Sequence, residues 1–301
     1  MFMQSKQAPS RLHNTVMTES LKVFGNIPSV RELLERHRRA GESIGLVPTM
    51  GNLHAGHVSL LEAARRQSDV LVASIFINPM QFGPSEDLSS YPRTFDADCE
   101  VLQASGCNYL FAPQVEDIYP LGMAGQTVVS LPHISALHCG KSRPAHFDGV
   151  CTVVCKLFNI VQPDRAWFGL KDYQQFHIIS RMVDDLNIPV SLIGMPIIRE
   201  DSGLAMSSRN GYLSAAEKHR ATALYQSLQS AAASLARGQE FRLVERLAAE
   251  QLQDAGMKPD YFTVCDRNTL LPAQGQETRL VILAAAWISN TRLIDNLPLD
   301  L

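Results

Sequence analysis

MGNLHAGH, residues 50–57, decides how this chain turns from a strand into a helix. The octet follows an apolar run at residues 44–47 and precedes a helical pattern that begins at Val58. The first N–H groups of a helix lack partners and the helix dipole is positive there, so the junction predicts an anion site suited to phosphate. Gly51 and Gly56 would let the main chain approach a nucleotide closely.

The two histidines of the octet, His54 and His57, are three residues apart and would share one face of the first helical turn. In its protonated form, either imidazole could stabilise negative charge on a phosphate. The alternative is a pair of surface or capping histidines without a catalytic role, because short motifs also occur by chance. The rest of the sequence favours the functional interpretation.

Length and composition are those of a globular protein with a large core. The chain has 301 residues, of which 46% are hydrophobic, and this length predicts two unequal domains. A formal net charge of -3 gives no general attraction to nucleic acid or to an anionic membrane. No stretch is apolar enough for a transmembrane helix. We therefore expect small-molecule substrates, with no nucleic acid and no membrane partner.

The six cysteines are scattered without a CxxC pair. This spacing argues against a disulfide framework or a zinc ribbon and fits a reducing compartment. Residues 1–19 lack the hydrophobic core of a secretory signal, so a cytoplasmic location is expected. One group of potential metal ligands has a spacing typical of no structural zinc site: His133, His138, Cys139 and His146. The sequence leaves any metal ligands unknown.

Strand and helix patterns alternate over residues 21–198. The apolar runs predict strands at residues 43–48, 70–77, 109–112, 127–131, 166–168 and 190–198. The helical spacing predicts helices at residues 29–39, 58–67, 95–104, 149–161 and 172–186. Such alternation predicts the α/β class and a Rossmann-like doubly wound parallel sheet, with its ligand crevice at the carboxyl ends of the strands.

Residues 199–301 have a different pattern, which predicts a second, smaller α+β domain. Ser214 and Glu217 form a capping box that opens a long helix to residue 235. A further helix is predicted at residues 241–255, and strands are predicted at residues 260–265 and 278–288. Residues 1–20 are expected to form an N-terminal tail, disordered in solution, ahead of the larger domain at 21–198.

Three further segments with polar side chains follow predicted strands, at residues 78–82, 169–172 and 206–209. Loops at the carboxyl edge of one parallel sheet would converge on a single crevice. Lys171 could lie beside phosphates as a point charge, whereas Asp172 fits the N-cap of the next helix.

Neutral and hydroxyl side chains complete this predicted crevice. Asn78 and Gln81 offer neutral donors and acceptors to a small polar substrate, although each could also be a turn residue. Gln175 lies in the first turn of a predicted helix and could reach the same place. Ser207, Ser208 and Arg209 combine hydroxyls with a guanidinium fork that suits a triphosphate.

The combination of segments is more specific than any one of them. The matching segments are PTMGNLHAGH at 48–57, FINPMQF at 76–82, YPRT at 91–94, WFGLKDYQQ at 167–175 and GLAMSSRNGYLS at 203–214. Through them the chain resembles the pantoate–β-alanine ligases, a family of the HxGH nucleotidyltransferase superfamily. The resemblance extends from about residue 44 to the C-terminus.

The resemblance implies an ATP- and Mg²⁺-dependent reaction in a homodimer. ATP would adenylate the carboxylate of (R)-pantoate and release pyrophosphate, and the amine of β-alanine would then displace AMP to give pantothenate. It implies three catalytic residues, His57 as proton donor, His54 as phosphate contact and Lys171. Gln81 and Gln175 would hold pantoate, with Asn78 beside them and Gln81 also facing β-alanine. The implied ATP site is Met50, Gly51, Asn52, Leu53, His54, Ala55, Gly56, His57, Gly169, Leu170, Lys171, Asp172, Ile198, Met206, Ser207, Ser208 and Arg209.

One position departs from the family pattern, and two other functions stay open. Leu170 stands where the family usually has Glu, so the resemblance implies contacts through the backbone of this position rather than through its side chain. Another HxGH nucleotidyltransferase is one alternative, but a phosphorylated substrate would favour cations in place of Gln81 and Gln175, and a tRNA enzyme would need an anticodon-reading domain and a basic surface. A catalytically silent nucleotide-binding regulator is the other, and the intact histidines, Lys171 and Arg209 argue against it.

Overall fold

The computed structural model describes residues 20–84 and 86–301. Apart from Ser20, the predicted N-terminal tail therefore lies outside the described residues. Over the described part of the chain, no helix is long and apolar enough to cross a membrane.

The larger sheet has six parallel strands in the order β1-β4-β3-β2-β5-β6. The strands are β1 (Lys22–Phe24), β2 (Ile44–Thr49), β3 (Val70–Ile75), β4 (Tyr109–Phe111), β5 (Arg165–Gly169) and β6 (Ser191–Met195). The helices that accompany them are α1 (Ile27–Arg39), α2 (Ala55–Arg65), α3 (Phe95–Ala104), α4 (Val115–Ile118), α5 (Pro132–Ser135), α6 (Cys139–Ser142), α7 (His146–Val161) and α8 (Tyr173–Asp185). The predicted doubly wound parallel sheet is confirmed.

Helices cover both faces of this sheet, which is why its central strands are almost continuously apolar. In β2, Ile44 and Leu46 pack into a cluster that includes residues of α1, α7 and α8. Val47 points to the opposite cluster, which includes residues of α2 and α3. Strand β2 pairs with β3 on one side and with β5 on the other. The chain order reverses between β2 and β5, and ligands of such sheets bind in the crevice beside that point.

A second, antiparallel sheet of three strands forms the smaller α+β unit, with the order β7-β8-β9. Its elements are α9 (Ala215–Ala221), α10 (Ala223–Ala236), α11 (Phe241–Asp254), β7 (Lys258–Asp266), β8 (Arg279–Ile288) and β9 (Thr291–Asp300). Leu228 on α10, Leu252 on α11 and Ile282 on β8 belong to one buried cluster. The placement of the domain boundary between residues 198 and 199 stays a prediction.

Two element predictions were wrong. Residues 127–131 form no strand in the described structure. They are mostly exposed, and Val129 N donates to the Thr152 hydroxyl of α7 rather than to a neighbouring strand. The long helix predicted from residue 214 is divided into α9 and α10 at Thr222, whose hydroxyl donates to His219 O at 2.7 Å. A hydroxyl bonded to the preceding turn competes with the regular helix ladder.

Candidate active site

The octet forms the turn between β2 and α2, and a carboxylate from α3 holds it in place. Asp98 accepts hydrogen bonds from Asn52 N at 3.0 Å, Leu53 N at 2.8 Å and the Thr94 hydroxyl at 3.1 Å. Gly51 has φ of +81°, and a Cβ there would lie 3.0 Å from the Asp98 carboxylate. Only glycine adopts this backbone easily. The octet therefore depends on a buried acid that sequence reasoning missed.

Replacement of Asp98 by alanine should destabilise the fold, because it leaves two backbone N–H groups without their acceptor. Each such loss costs about 1–3 kcal/mol, so we expect the free energy of unfolding in urea to fall by about 2–4 kcal/mol. Asp98→Asn keeps one acceptor oxygen and should lose less. Asp96→Ala, at an exposed position in the first turn of the same helix, is the control. Equal losses in the Asp98 and Asp96 variants would contradict this role.

Both histidines of the octet bond the backbone through Nδ1. His54 is the N-cap of α2, and its Nδ1 accepts from Gly56 N at 3.1 Å. His57 Nδ1 accepts from His54 N at 3.3 Å, and the two ring centroids are 4.2 Å apart. A neutral imidazole that accepts at Nδ1 carries its proton on Nε2. Both histidines thus cap the turn through Nδ1, and each ring keeps a second nitrogen that can donate to a ligand.

Both imidazoles are neutral in the free protein at neutral pH. Burial lowers the pKa of His57 to about 3, with the neighbouring His54 as the next cause. Burial also lowers the pKa of His54 to about 4, and the Lys171 charge acts in the same direction. Desolvation disfavours the charged form of a histidine. The pair is therefore neutral and can act through two Nε2–H donors.

A cavity of about 230 Å³ opens at the carboxyl ends of β2, β3, β5 and β6. It brings together these predicted site residues: Met50, His54, Gly56, His57, Gln81, Gly169, Lys171, Asp172, Gln175, Ile198, Met206, Ser207, Ser208 and Arg209. Six other predicted residues do not line it: Gly51, Asn52, Leu53, Ala55, Asn78 and Leu170. The strand-end loops thus converge as predicted, although part of the octet shapes the turn rather than the cavity wall.

Two cations stand where this cavity meets a larger cleft of about 870 Å³, which residues of the smaller sheet also line. Lys171 Nζ is 3.6 Å from a carboxylate oxygen of Asp172. Arg209 Nη2 donates to Asp87 Oδ1 at 2.8 Å. Asp172 occupies the N-cap position of α8, but its side chain makes no capping bond there. The predicted capping role of Asp172 is therefore wrong, and its carboxylate lies beside the Lys171 ammonium instead.

Gln81 is oriented by its neighbours rather than by solvent. Its Oε1 accepts from Asn78 Nδ2 at 3.2 Å, and its Nε2 donates to Met50 Sδ at 3.2 Å. Asn78 is buried, and it also accepts from the Tyr119 hydroxyl at 2.8 Å and donates to Gly149 O at 3.0 Å. Asn78 thus orients Gln81, while Gln81 lines the cavity.

Arg143 and His146 were not predicted as site residues, yet they hold the main chain of Gln81. His146 Nδ1 donates to Gln81 O at 2.7 Å, and Arg143 donates to the same carbonyl at 3.3 Å. Arg143 also forms a bidentate pair with Glu86 at 2.7 and 2.6 Å. Burial lowers the pKa of His146 to about 4, so this ring is neutral too.

Among the residues described, no group of three or more His, Cys, Asp or Glu is arranged to hold a metal.

A doubly wound sheet whose switch point carries a helix N-terminus, two imidazoles, a lysine and an arginine defines a nucleotide-binding α/β protein. Residues 22–298 match the model of the pantoate-beta-alanine ligase family. The chain therefore belongs to this family, and its activity is that of a pantoate–β-alanine ligase.

Named relatives are similar in sequence to this chain over nearly its whole length. The pantothenate synthetase of Shewanella baltica (strain OS223) is 54% identical over 275 residues, which cover 91% of this chain and 98% of that protein. The pantothenate synthetase of Marinobacter nauticus is 50% identical over 280 residues, or 93% and 99% of the two chains.

Solved structures show the same architecture. The pantothenate synthetase from Thermus thermophilus has a TM-score of 0.86 at 42% identity, over 92% of this chain and 98% of that one. The pantoate-beta-alanine ligase from Francisella tularensis, complexed with beta-gamma ATP and beta-alanine, has a TM-score of 0.79 at 33% identity over 92% and 97%.

Proposed function

We propose that this chain joins (R)-pantoate to β-alanine in two steps within the cavity at the switch point. A carboxylate oxygen of pantoate attacks the α-phosphorus of ATP, and the bond to the pyrophosphate oxygen breaks. The β-alanine amine then attacks the acyl carbon of this adenylate and displaces AMP, giving pantothenate after loss of a proton. The observation that carries the proposal is that one cavity holds His54, His57, Lys171 and Arg209 beside the amides of Gln81 and Gln175.

The charged and polar side chains match the charge that the first step develops. Negative charge grows on the phosphoryl oxygens and on the departing pyrophosphate, and preorganised donors stabilise it. The Nε2–H groups of the histidines, the ammonium of Lys171 and the guanidinium of Arg209 are donors of this kind. Ser207 and Ser208 add hydroxyls at the same wall. The step requires no nucleophile from the protein.

Two carboxylates of the larger cleft fit a magnesium ion bound together with ATP. Mg²⁺ prefers oxygen ligands and is commonly held by one or two carboxylates plus substrate phosphates. Asp87 and Asp172 line the larger cleft beside Arg209 and Lys171, so they are the residues that would hold it. When bound, the ion would neutralise phosphate charge.

Neutral amides in the remaining part of the cavity favour an unphosphorylated acid as the first substrate. Gln81 and Gln175 can bond the hydroxyls and the carboxylate of pantoate. Arg143 lies close by, but it is already paired with Glu86. This arrangement is a poor match for the phosphorylated substrate of another nucleotidyltransferase.

The proposed function is tested by AMP release with ATP, Mg²⁺, pantoate and β-alanine, with each component omitted in turn. AMP and pantothenate should appear in equal amounts only when all four are present. AMP formed at the same rate without pantoate would refute the substrate assignment. A silent nucleotide-binding protein would bind ATP and release no AMP.

Gln81→Ala should chiefly weaken pantoate binding, because it removes an amide that Asn78 and Met50 hold in place. We expect the KM for pantoate to rise about 10-fold or more, the effect of losing a substrate hydrogen bond, while the KM for ATP changes little. Steady-state kinetics with each substrate varied separately measure the difference. Gln67→Ala, at an exposed position after α2, is the control. A rise in the KM for ATP with no change in the KM for pantoate would contradict the role of Gln81 in binding pantoate.

A homodimer in the cytoplasm completes the proposal. The family resemblance supports the dimer, and the unpaired cysteines support a reducing compartment. Light scattering of the purified protein gives its molar mass, and a mass of one chain would refute the dimer.

A further inference from the structure

Asn296 of β9 reaches across from the smaller sheet to the loop that carries Lys171. It is only 2% exposed. Its Nδ2 donates to Leu170 O at 2.8 Å and to Lys171 O at 3.0 Å. These carbonyls belong to the two peptide groups on either side of the Lys171 Cα. Because peptide groups are planar, one amide fixes both planes that set the direction of the Lys171 side chain.

The loop needs such an external partner because its one regular turn is too short to fix its conformation. A short 3-10 helix, Leu170–Asp172, separates β5 from α8. Asp172 has φ of −91° and ψ of 59°, which is not helical, so α8 does not continue into the loop. The conformation around Lys171 is therefore set by contacts outside its own segment.

Asn296 is itself held firmly. Its backbone N–H donates to Asp295 Oδ1 at 2.8 Å. Asp295 is buried and forms a bidentate pair with Arg199 at 2.6 and 2.9 Å. The Arg199 guanidinium lies 3.5 Å from the ring centre of Tyr225. A chain of polar contacts thus connects the smaller domain to the loop beside the phosphate site.

We infer that Asn296 is a positioning residue for Lys171, so that β9 of the smaller domain sets the place of the ammonium group in the larger one. The inference rests on the proposed function, in which Lys171 lies beside the phosphates of ATP. A displacement of about 1 Å in a group that contacts the reacting atoms can cost about 10²-fold in rate. The loss of Asn296 should therefore appear in the adenylation step.

The test compares Asn296→Ala with Lys171→Ala and with the double variant, in single-turnover adenylate formation from ATP and pantoate. We expect Asn296→Ala to slow this step about 10- to 100-fold in the otherwise unchanged protein. In the Lys171→Ala background, the same substitution should change the rate less than about twofold, because residues that act as a unit are not additive. Asn296→Asp keeps the shape of the side chain but turns a carboxylate toward two carbonyls. Its rate of adenylate formation should therefore fall at least as much as that of Asn296→Ala.

A stability control separates positioning from general damage. Val281 is fully buried in β8, and Val281→Ala should lower the melting temperature while leaving adenylation at 25 °C within about twofold of the unchanged protein. If Asn296→Ala lowers the rate of adenylate formation equally with Lys171 present and with Lys171→Ala, the inference is overturned while the proposed function stands. If Lys171→Ala leaves the rate of adenylate formation unchanged, Lys171 does not act on the phosphates. The positioning role of Asn296 is then refuted as well.

Discussion

His57→Ala should lower the rate of adenylate formation about 10²- to 10³-fold, the loss expected when one preorganised donor to a developing oxyanion is removed. The half-buried ring lines the cavity, and its Nδ1 is occupied by the backbone of the octet. Only Nε2–H then remains to donate to phosphate. Single-turnover formation of adenylate from ATP and pantoate measures the loss. The exposed His133 supplies the control variant His133→Ala, which should retain full activity.

His57→Gln distinguishes a neutral donor from a proton donor. Glutamine can place an amide N–H near the position of Nε2, but it cannot release a proton to the leaving group. Because burial holds the pKa of His57 at about 3, we expect His57→Gln to recover about 10-fold of the activity that His57→Ala loses. Equal activity of the two variants would contradict a purely neutral role.

Arg209→Ala should lower kcat/KM for ATP about 10²-fold. The guanidinium lines both cavities and is paired with Asp87 at 2.8 Å. Its removal leaves that carboxylate without its cation close to the phosphates, so repulsion adds to the lost attraction. Arg209→Lys keeps the charge but not the guanidinium fork. Its kcat/KM for ATP should lie between those of the unchanged protein and Arg209→Ala.

The control for Arg209 is Arg237→Ala, at an exposed position after α10. Both variants lose one positive charge, so a general electrostatic effect would appear in each. A rise in the KM for pantoate with no change for ATP would contradict the placement of Arg209 at the phosphates.

The fold was predictable where one strand is covered on both faces. The apolar run of β2 and the glycines of the octet define a strand that turns into a helix, and the structure confirms it. Strand β1 has only three residues, too few for a pattern. In β9, Asp295 and Asn296 break the alternation because they face partners outside their own sheet. Val128 and Val129 resemble a strand in sequence, but no strand lies beside them in the described part of the chain.

The converging loops of the site were predictable from the rule that ligands bind at strand ends, but the residues that hold these loops were not. Asp98 bonds a backbone group 45 positions away, Arg143 one 62 positions away and Asn296 one 125 positions away. Local periodicity contains no signal for such contacts. The neutral state of His54 and His57 depends on burial, which follows from tertiary packing.

Pantoate-dependent exchange between ATP and labelled pyrophosphate tests most directly whether this cavity activates a carboxylate. With the unchanged protein, label should enter ATP when pantoate is present and β-alanine is absent, and His57→Ala should abolish most of this exchange. Exchange that needs β-alanine, or exchange that proceeds without pantoate, would contradict adenylation of pantoate at the switch point of the sheet.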